Sequence, residues 1–321
     1  MEVGGGLSAR RCSYCSSPAI YLRRYSGEYL CRRHFMESVE ARVRRALRGK
    51  LRGRLRVGLA VSGGKDSLTM AYIMWRLSRR HPETELVGLI VDEGIRGYRD
   101  RSIEHARRLL EQLGISYEIG SFEEEFGVTV DELVRELSVR IPCSYCGVLR
   151  RRMLEMLGRR LGVKAILTGH NANDLAETVL LNVIQGNIRH LVQELEVGEG
   201  YIPHVTPLRY VPEAEVVLYA YLAGIDYFED SCPYVPYALR REIRDFLNTL
   251  ENRHPGIVFN VLSAAERMRR ERIPTRPCKI CGYPTTRETC RSCEMLEEIR
   301  RLKRERKRKL TGQRHPVIPG G

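Results

Sequence analysis

The sequence predicts an α/β protein: a three-layer α/β/α domain built on a parallel sheet, with a small zinc-binding module at each terminus. Three observations predict it. Between residues 55 and 270, short apolar runs alternate with amphipathic stretches, the pattern of β-α units. Cysteines gather towards both ends of the chain. A glycine-rich loop joins the first apolar run of the middle region to the first helical pattern.

At 321 residues the chain can bury a full core and carry attachments. No hydrophobic run follows "MEVGGGLSARR", so no secretory signal is expected, and "VVLYAYLAGI" is too short to span a bilayer. A soluble cytoplasmic protein with no membrane partner is the expectation. Ten cysteines in that setting point to metal or redox chemistry rather than a disulfide framework.

The first module, residues 1–36, holds Cys12-x2-Cys15-x15-Cys31-x2-His34. Each close pair of ligands is a knuckle, and two knuckles make a closed tetrahedral shell suited to structural zinc. Such a module has almost no core, so the metal would supply much of its folding energy. Residues 37–54 follow as a basic helix and linker. The stretch "ARVRRALRGKLRGRLR" (41–56) holds eight basic residues and no acidic one, and "RRLKRERKRK" (300–309) holds eight against one Glu. The net charge is +14, and these two stretches carry +15, so the remainder is close to neutral. Charge this one-sided reads as a footprint for a phosphate backbone, with nucleic acid as the partner; a solvated helix face is the plainer alternative.

The middle domain, residues 55–270, offers strands at "LRVGLAV", "LVGLIVD", "ISYEIG" and "KAILTG", each before an amphipathic stretch, as in a Rossmann-like sandwich. Its first strand leads into "SGGKDS", residues 62–67. This is not a Walker A loop. Gly58 and Gly63 are five apart, but Gly64 intrudes before Lys65, and Asp66 stands where Ser or Thr should. Glycines let backbone N–H groups close around phosphate, and the following helix N-terminus favours the anion. Ser62 and Ser67 can donate hydroxyls, Lys65 can balance pyrophosphate charge, and Asp66 can help hold Mg2+.

Residues 274–298 carry the second zinc set, Cys278-x2-Cys281-x8-Cys290-x2-Cys293, and residues 299–321 form a basic helix and a Pro/Gly tail. Three cysteines remain: Cys143 and Cys146 in "IPCSYCGVLRR", and the distant Cys232 in "EDSCPYVP". Three arrangements fit them. They can hold a [4Fe-4S] cluster by three irons, leaving the fourth open to a ligand such as sulfide. Cys143 and Cys232 can instead form a persulfide and resolving pair. Or all three are structural.

Ser62 to Ser67 resembles the PP-loop of the ATP pyrophosphatases, enzymes that cleave ATP between the α and β phosphates and adenylate a substrate oxygen. Together, "SGGKDS", "PCSYCGVLRR", "TGHNANDLAETVLLN" and the late Cys232, bracketed by two zinc modules, resemble the tRNA 2-thiolation enzymes of the TtuA and cytoplasmic thiouridylase group over nearly the whole chain. The resemblance implies adenylation of the C2 oxygen of a tRNA uridine, then replacement of that oxygen by sulfur. It implies ATP, Mg2+, two Zn2+ and an oxygen-sensitive [4Fe-4S] cluster on Cys143, Cys146 and Cys232. Sulfur would come from a ubiquitin-like protein thiocarboxylate or from free sulfide, and the family is often a homodimer.

Within that frame Gly169 and His170 follow the strand "KAIL", and with Ala60 and Ile90 they join residues 62–67 as expected nucleotide contacts. Asp174 matches the family's acidic residue near the target base, with a role in proton handling or metal binding; a helix N-cap is its plainer role. Arg150 departs from the TtuA branch, which has a lysine there. An arginine stays charged, so it can clamp phosphate or stabilise negative charge but cannot act as a base. "CGVLRR", "AETVLLN", "IDYFEDSCPY" and "NVLSAAER" stand closer to the cytosolic type, which modifies the wobble uridine; the T-loop uridine is the other target. A tRNA 2-thiocytidine synthetase usually has a second CxxC, a tRNA-lysidine synthetase leaves the three cysteines unexplained, and an intact SGGKDS argues against a non-catalytic zinc and RNA-binding protein.

Overall fold

The computed structural model describes residues 10–51, 55–81, 83–139, 141–196, 202–234, 239–268 and 271–312. A short hairpin, β1 (Tyr21–Arg23) and β2 (Glu28–Leu30), leads into α1 (Arg32–Leu47). Alternation then begins: β3 (Leu55–Ala60), α2 (Lys65–Ser78), β4 (Thr84–Asp92), α3 (Arg99–Gln112) and β5 (Ser116–Ser121). Two short helices, α4 (Phe122–Phe126) and α5 (Val130–Arg135), precede the long α6 (Pro142–Arg160), β6 (Ala165–Thr168) and α7 (Ala172–Ile184). There follow α8 (Arg189–Val192), β7 (Gln193–Glu196), β8 (His204–Val205), α9 (Glu213–Ala223), α10 (Arg240–Arg253) and α11 (Ile257–Arg267). The chain closes through β9 (Glu271–Pro274), β10 (Arg276–Pro277), β11 (Pro284–Thr285) and α12 (Arg291–Gly312).

The central sheet has five strands in the order β5-β4-β3-β6-β8, and every neighbouring pair is parallel. The α/β sandwich expected from the sequence is the fold observed. Six consecutive residues of β4, Leu86 to Val91, are buried, as a strand covered on both faces requires. One face packs on α1, α2, α3 and α9 through Phe35, Leu68, Ile73, Leu110 and Tyr219. The other packs on α5, α6 and α12 through Leu133, Leu149, Met153 and Ile299. The order runs outwards from β3 through β4 to β5, and on the other side through β6 to β8. Such a reversal opens a crevice at the C-terminal strand ends.

The structure adjusts several expectations. The basic helix begins at Arg32, inside the first module, because Cys31 is its N-cap residue. β8 is only two residues long, too short to announce itself by alternation. The parallel pair β7 and β9 ties the chain on either side of residue 270. Some of the basic charge is paired within the fold. Arg42 pairs with buried Glu215 of α9, Arg56 donates to the Leu161 carbonyl at 2.8 Å, and Lys303 bonds Glu132 at 2.7 Å. Among the described residues no helix is long and apolar enough to cross a membrane.

Candidate active site

The ends of β3, β4 and β6 meet at this crevice. Ala60 closes β3, and residues 61–64 turn into α2. Gly63 has φ +91, and a Cβ there would stand 1.8 Å from the Ser102 carbonyl oxygen of α3, so only glycine fits. Gly64 instead has φ −82, with Ser62 Oγ the nearest neighbour of an added Cβ at 3.8 Å. The Ser62 N–H donates to Ser67 Oγ at 3.0 Å, and the Ser67 hydroxyl donates to the Gly64 carbonyl at 3.0 Å. Arg99 braces the loop from α3, donating Nη1 to the Ser62 carbonyl at 2.6 Å. Ile90 has no exposed surface, so its side chain packs the core beneath the loop instead of lining its open side.

Lys65 Nζ lies 2.9 Å from Asp66 Oδ2 and 2.7 Å from Glu213 Oε1. Desolvation works against its charge, but these two carboxylates hold its pKa above the ordinary lysine value. Burial raises the Asp66 carboxyl above the usual range, against the pull of Lys65.

At the end of β6, Gly169 passes so close to α2 that a Cβ would stand 2.8 Å from the backbone of Ser67. His170 is exposed, with Nδ1 3.1 Å from Thr168 Oγ1. Asn171 caps α7. Its Oδ1 accepts the Asp174 N–H at 3.1 Å, while Asp174 Oδ2 accepts the Asn171 N–H at 3.0 Å, a reciprocal capping box. The N-cap is therefore Asn171, and Asp174 stands three residues into the helix. Asn171 Nδ2 also donates to Asp66 Oδ1 at 2.9 Å, joining the two helix N-termini. Burial raises the Asp174 carboxyl, partly offset by the Asn171 N–H. Arg244 of α10 approaches Asp174 at 3.6 Å and pairs with buried Glu177 at 2.8 Å.

Pro142 opens α6 with a pre-set φ, so Cys143 and Cys146 share one face of its first turn. Cys232 arrives on the segment between α9 and α10. That segment docks on the glycine loop itself, for the Phe228 N–H donates to the Gly63 carbonyl at 3.0 Å. Cys143 Sγ donates to the Tyr234 carbonyl at 3.6 Å. Burial pushes all three thiols up; Cys146 raises Cys143 further, and Cys143 does the same to Cys232, so the sulfurs sense one another. Arg150 Nη2 lies 3.1 Å from Cys146 Sγ.

The terminal sets are tighter. In each, Cys12-Cys15-Cys31-His34 and Cys278-Cys281-Cys290-Cys293, all ligand atoms lie within 4.8 Å of one another. Cys15 and Cys31 sulfurs are 3.8 Å apart, and Cys12 Sγ is 3.3 Å from His34 Nδ1. A tetrahedral zinc with Zn–S of about 2.3 Å has edges of about 3.8 Å, so both sets fit that ion. Among the described residues these are the two sets close enough to share one ion, and Cys143, Cys146 and Cys232 do not form a third. Cys146 and Cys232 lie in one apolar cluster, with Cys143 on the same helix turn as Cys146, and three soft thiols in an apolar setting are a donor set suited to an iron–sulfur cluster.

A family model described as a PP-loop domain matches residues 35–251. The tRNA 2-thiolation protein NcsA of Haloferax volcanii is 36% identical over 316 residues, covering 90% of this chain and 98% of that one. This chain belongs to the PP-loop family of tRNA 2-thiolation proteins. A cytoplasmic tRNA 2-thiolation protein 1 from Danio rerio is 37% identical over 304 residues, 91% of this chain and 89% of that one. Residues 11–36 match the N-terminal LIM domain of the 2-thiouridine synthetase TtuA. Among solved structures, the U34-tRNA thiolase NcsA from Methanococcus maripaludis with its [4Fe-4S] cluster superposes with a TM-score of 0.79 at 32% identity, over 90% of this chain and 96% of that one. The family expected from the motifs is the one found.

In this 2-thiolation protein the sequence motifs miss four site residues: Glu93, Arg99, Asn171 and Glu213. Glu93 and Arg99 follow β4, and the rule that ligands gather at C-terminal strand ends would have pointed to "DEGIRGYRD". Asn171 stood inside the quoted motif without a role. Glu213 meets Lys65 only through folding, and nothing local announces it.

Proposed function

We propose that this protein is an ATP-dependent tRNA-uridine 2-sulfurtransferase acting in the cytoplasm on the wobble uridine. The observation that carries the proposal is the convergence, at one edge of a parallel sheet, of the SGGKDS loop and three thiols from two distant segments. ATP lies on residues 62–67, beside Ala60, Gly169 and His170, with backbone N–H groups and the α2 N-terminus facing phosphate. Lys65 exchanges its two carboxylate partners for phosphate oxygens, and Asp66 would then be available to help hold Mg2+, which would offset phosphate charge. The uridine O2 attacks the α-phosphorus, pyrophosphate leaves, and the N3 proton passes to a base. Asp174, whose carboxyl burial already raises, is placed for that proton. Arg150 stabilises negative charge as sulfur adds at C2 and AMP departs with the oxygen.

Cys143, Cys146 and Cys232 would hold a [4Fe-4S] cluster, which supplies an iron free to carry sulfur. The terminal modules would hold two structural Zn2+. The remaining basic surface of α1 and α12 grips tRNA, and the target base is flipped into the crevice. Sulfur arrives as the thiocarboxylate of a ubiquitin-like carrier or as free sulfide, and the working unit is a homodimer. The wobble assignment is supported by Arg150 and by the U34 activity in the name of the Methanococcus structure.

The test begins with anaerobic purification and a count of iron, sulfide and zinc. About four irons and about two zincs per chain support the cluster, whereas zinc alone, even after reconstitution, moves the chemistry to a persulfide on Cys143, charged by a sulfane-sulfur donor and resolved by Cys232, with the resulting disulfide reopened by a thiol reductant. Incubation with ATP, tRNA and each sulfur donor, followed by mass spectrometry of tRNA fragments, then locates 2-thiouridine. Label at position 34 supports the wobble target; label confined to the T-loop overturns it.

A further inference from the structure

One carboxylate joins the two halves of this site. Glu93, just beyond β4, is 4% exposed, and so is its partner Arg99. Its Oε2 forms an ion pair with Arg99, 2.7 Å from Nε, and its Oε1 one with Arg150, 2.6 Å from Nε. Each arginine continues outwards in the opposite direction. Arg99 donates Nη1 to the Ser62 carbonyl at 2.6 Å and to Ser102 Oγ at 2.9 Å, and Nε to the Val91 carbonyl at 2.7 Å. Arg150 reaches Cys146 Sγ at 3.1 Å. An unbroken run of charge-assisted contacts therefore leads from the nucleotide loop to the cysteine helix: Ser62, Arg99, Glu93, Arg150, Cys146.

We propose that Glu93 is a positioning residue that couples occupancy of the nucleotide loop to the state of the cysteine site. The inference rests on the ATP and thiol chemistry proposed above. A buried carboxylate placed between two guanidiniums is costly unless both are held, so its geometry is fixed by the pair. The two ends differ in freedom. Arg99 is tied to the loop carbonyl and has little slack of its own, so it moves with the loop, while the Arg150 side chain is 48% exposed and has room to move. When phosphate draws the loop backbone towards itself, the Ser62 carbonyl shifts, Arg99 follows, and Glu93 passes the displacement to Arg150. The thiol site thereby responds when ATP is bound, which would tie sulfur delivery to adenylation. No proton or electron is transferred along the run; it acts by position.

The test uses the full chain purified anaerobically and a non-hydrolysable ATP analogue whose binding is confirmed by calorimetry. The readout is the rate at which a ferrous chelator removes iron from the cysteine site or, where the preparation holds no iron, the alkylation rate of the peptide carrying Cys143 and Cys146, followed by mass spectrometry. In the wild type the analogue should change that rate by about fivefold or more, the lower range of measured coupling between sites. Glu93→Gln should abolish the response while zinc content stays at the wild-type level. Arg150→Met cuts the run at its exposed end and leaves the Arg99 and Glu93 pair intact, so it should lose the response even if the buried variant folds poorly. A wild-type rate indifferent to bound analogue overturns the coupling and leaves the thiolation proposal standing. So does a response that persists in Arg150→Met. Failure of the analogue to bind at all overturns both, and calorimetry separates that case from the others.

Discussion

The two glycines of SGGKDS look equivalent in sequence and are not equivalent in the fold. Gly63→Ala places a methyl group at φ +91, a backbone that costs an L-residue roughly 1–2 kcal/mol. The new Cβ would also stand 1.8 Å from the Ser102 carbonyl oxygen. That oxygen belongs to the helical backbone of α3, and Ser102 is 2% exposed, so the helix cannot yield. The loop must move by more than about 1 Å, and overpacking of this kind costs roughly a further 1–3 kcal/mol. The expected total is about 2–5 kcal/mol, enough to lower the thermal midpoint of a chain this long by roughly 3–7 °C. The same shift displaces the N–H groups that face phosphate. Losing two charge-assisted hydrogen bonds at about 1.5–3 kcal/mol each weakens ATP binding by roughly a hundredfold or more. Gly64→Ala is the control, with extended backbone and no neighbour nearer than 3.8 Å. It should keep the wild-type midpoint, or gain up to about 1 kcal/mol from a stiffer unfolded chain, and lose ATP affinity alone. Differential scanning fluorimetry without nucleotide and calorimetry with ATP read the two effects separately. A Gly63→Ala protein that melts within about 1 °C of wild type would refute the steric reasoning.

Three other substitutions probe the remaining links. Cys232→Ala should abolish thiolation in the nucleoside assay and leave ATP affinity and zinc content intact; retained thiolation would sink the three-cysteine site. Glu215 of α9 is fully buried, accepting from Tyr25 at 2.7 Å and Arg23 at 3.2 Å and pairing with Arg42, which locks the first module onto the domain. Glu215→Ala takes the carboxylate from Arg42 and leaves Arg23 with Glu28 alone, so a loss of roughly 3–5 kcal/mol should appear as a lower midpoint, and an unchanged melt would contradict it. Asp174→Asn separates stability from catalysis. Burial raises this carboxyl above its unfolded value, so the folded state binds the proton more tightly, and its ionisation disfavours folding as pH rises from the unfolded pKa through the folded one. The amide should therefore match or exceed the wild-type midpoint at neutral pH, yet lose roughly a hundredfold in thiolation rate. Full activity in that variant would remove Asp174 from proton transfer.

What could be read from the chain alone were features that residue type and local spacing determine. The paired knuckles at Cys12, Cys15, Cys31 and His34 and at Cys278, Cys281, Cys290 and Cys293 are short-range patterns, and a small metal shell closes within each. The strands β3, β4 and β6 are legible because a parallel strand buried on both faces must be largely apolar, whereas β5 stands at the sheet edge and is mostly uncovered. The loop SGGKDS sits between a strand and a helix for reasons contained in its own backbone. Tertiary structure decided the rest, because those contacts join residues far apart in sequence whose types are individually unremarkable. Only the fold brings Glu213 to Lys65, Phe228 to Gly63 and Glu93 between Arg99 and Arg150. It also turned a few of the basic residues inwards, Arg42 and Lys303 answering carboxylates far along the chain, while Arg44, Arg48 and Arg304 stay exposed. A charge run shows how many cations the chain carries; burial and pairing decide which of them face a partner.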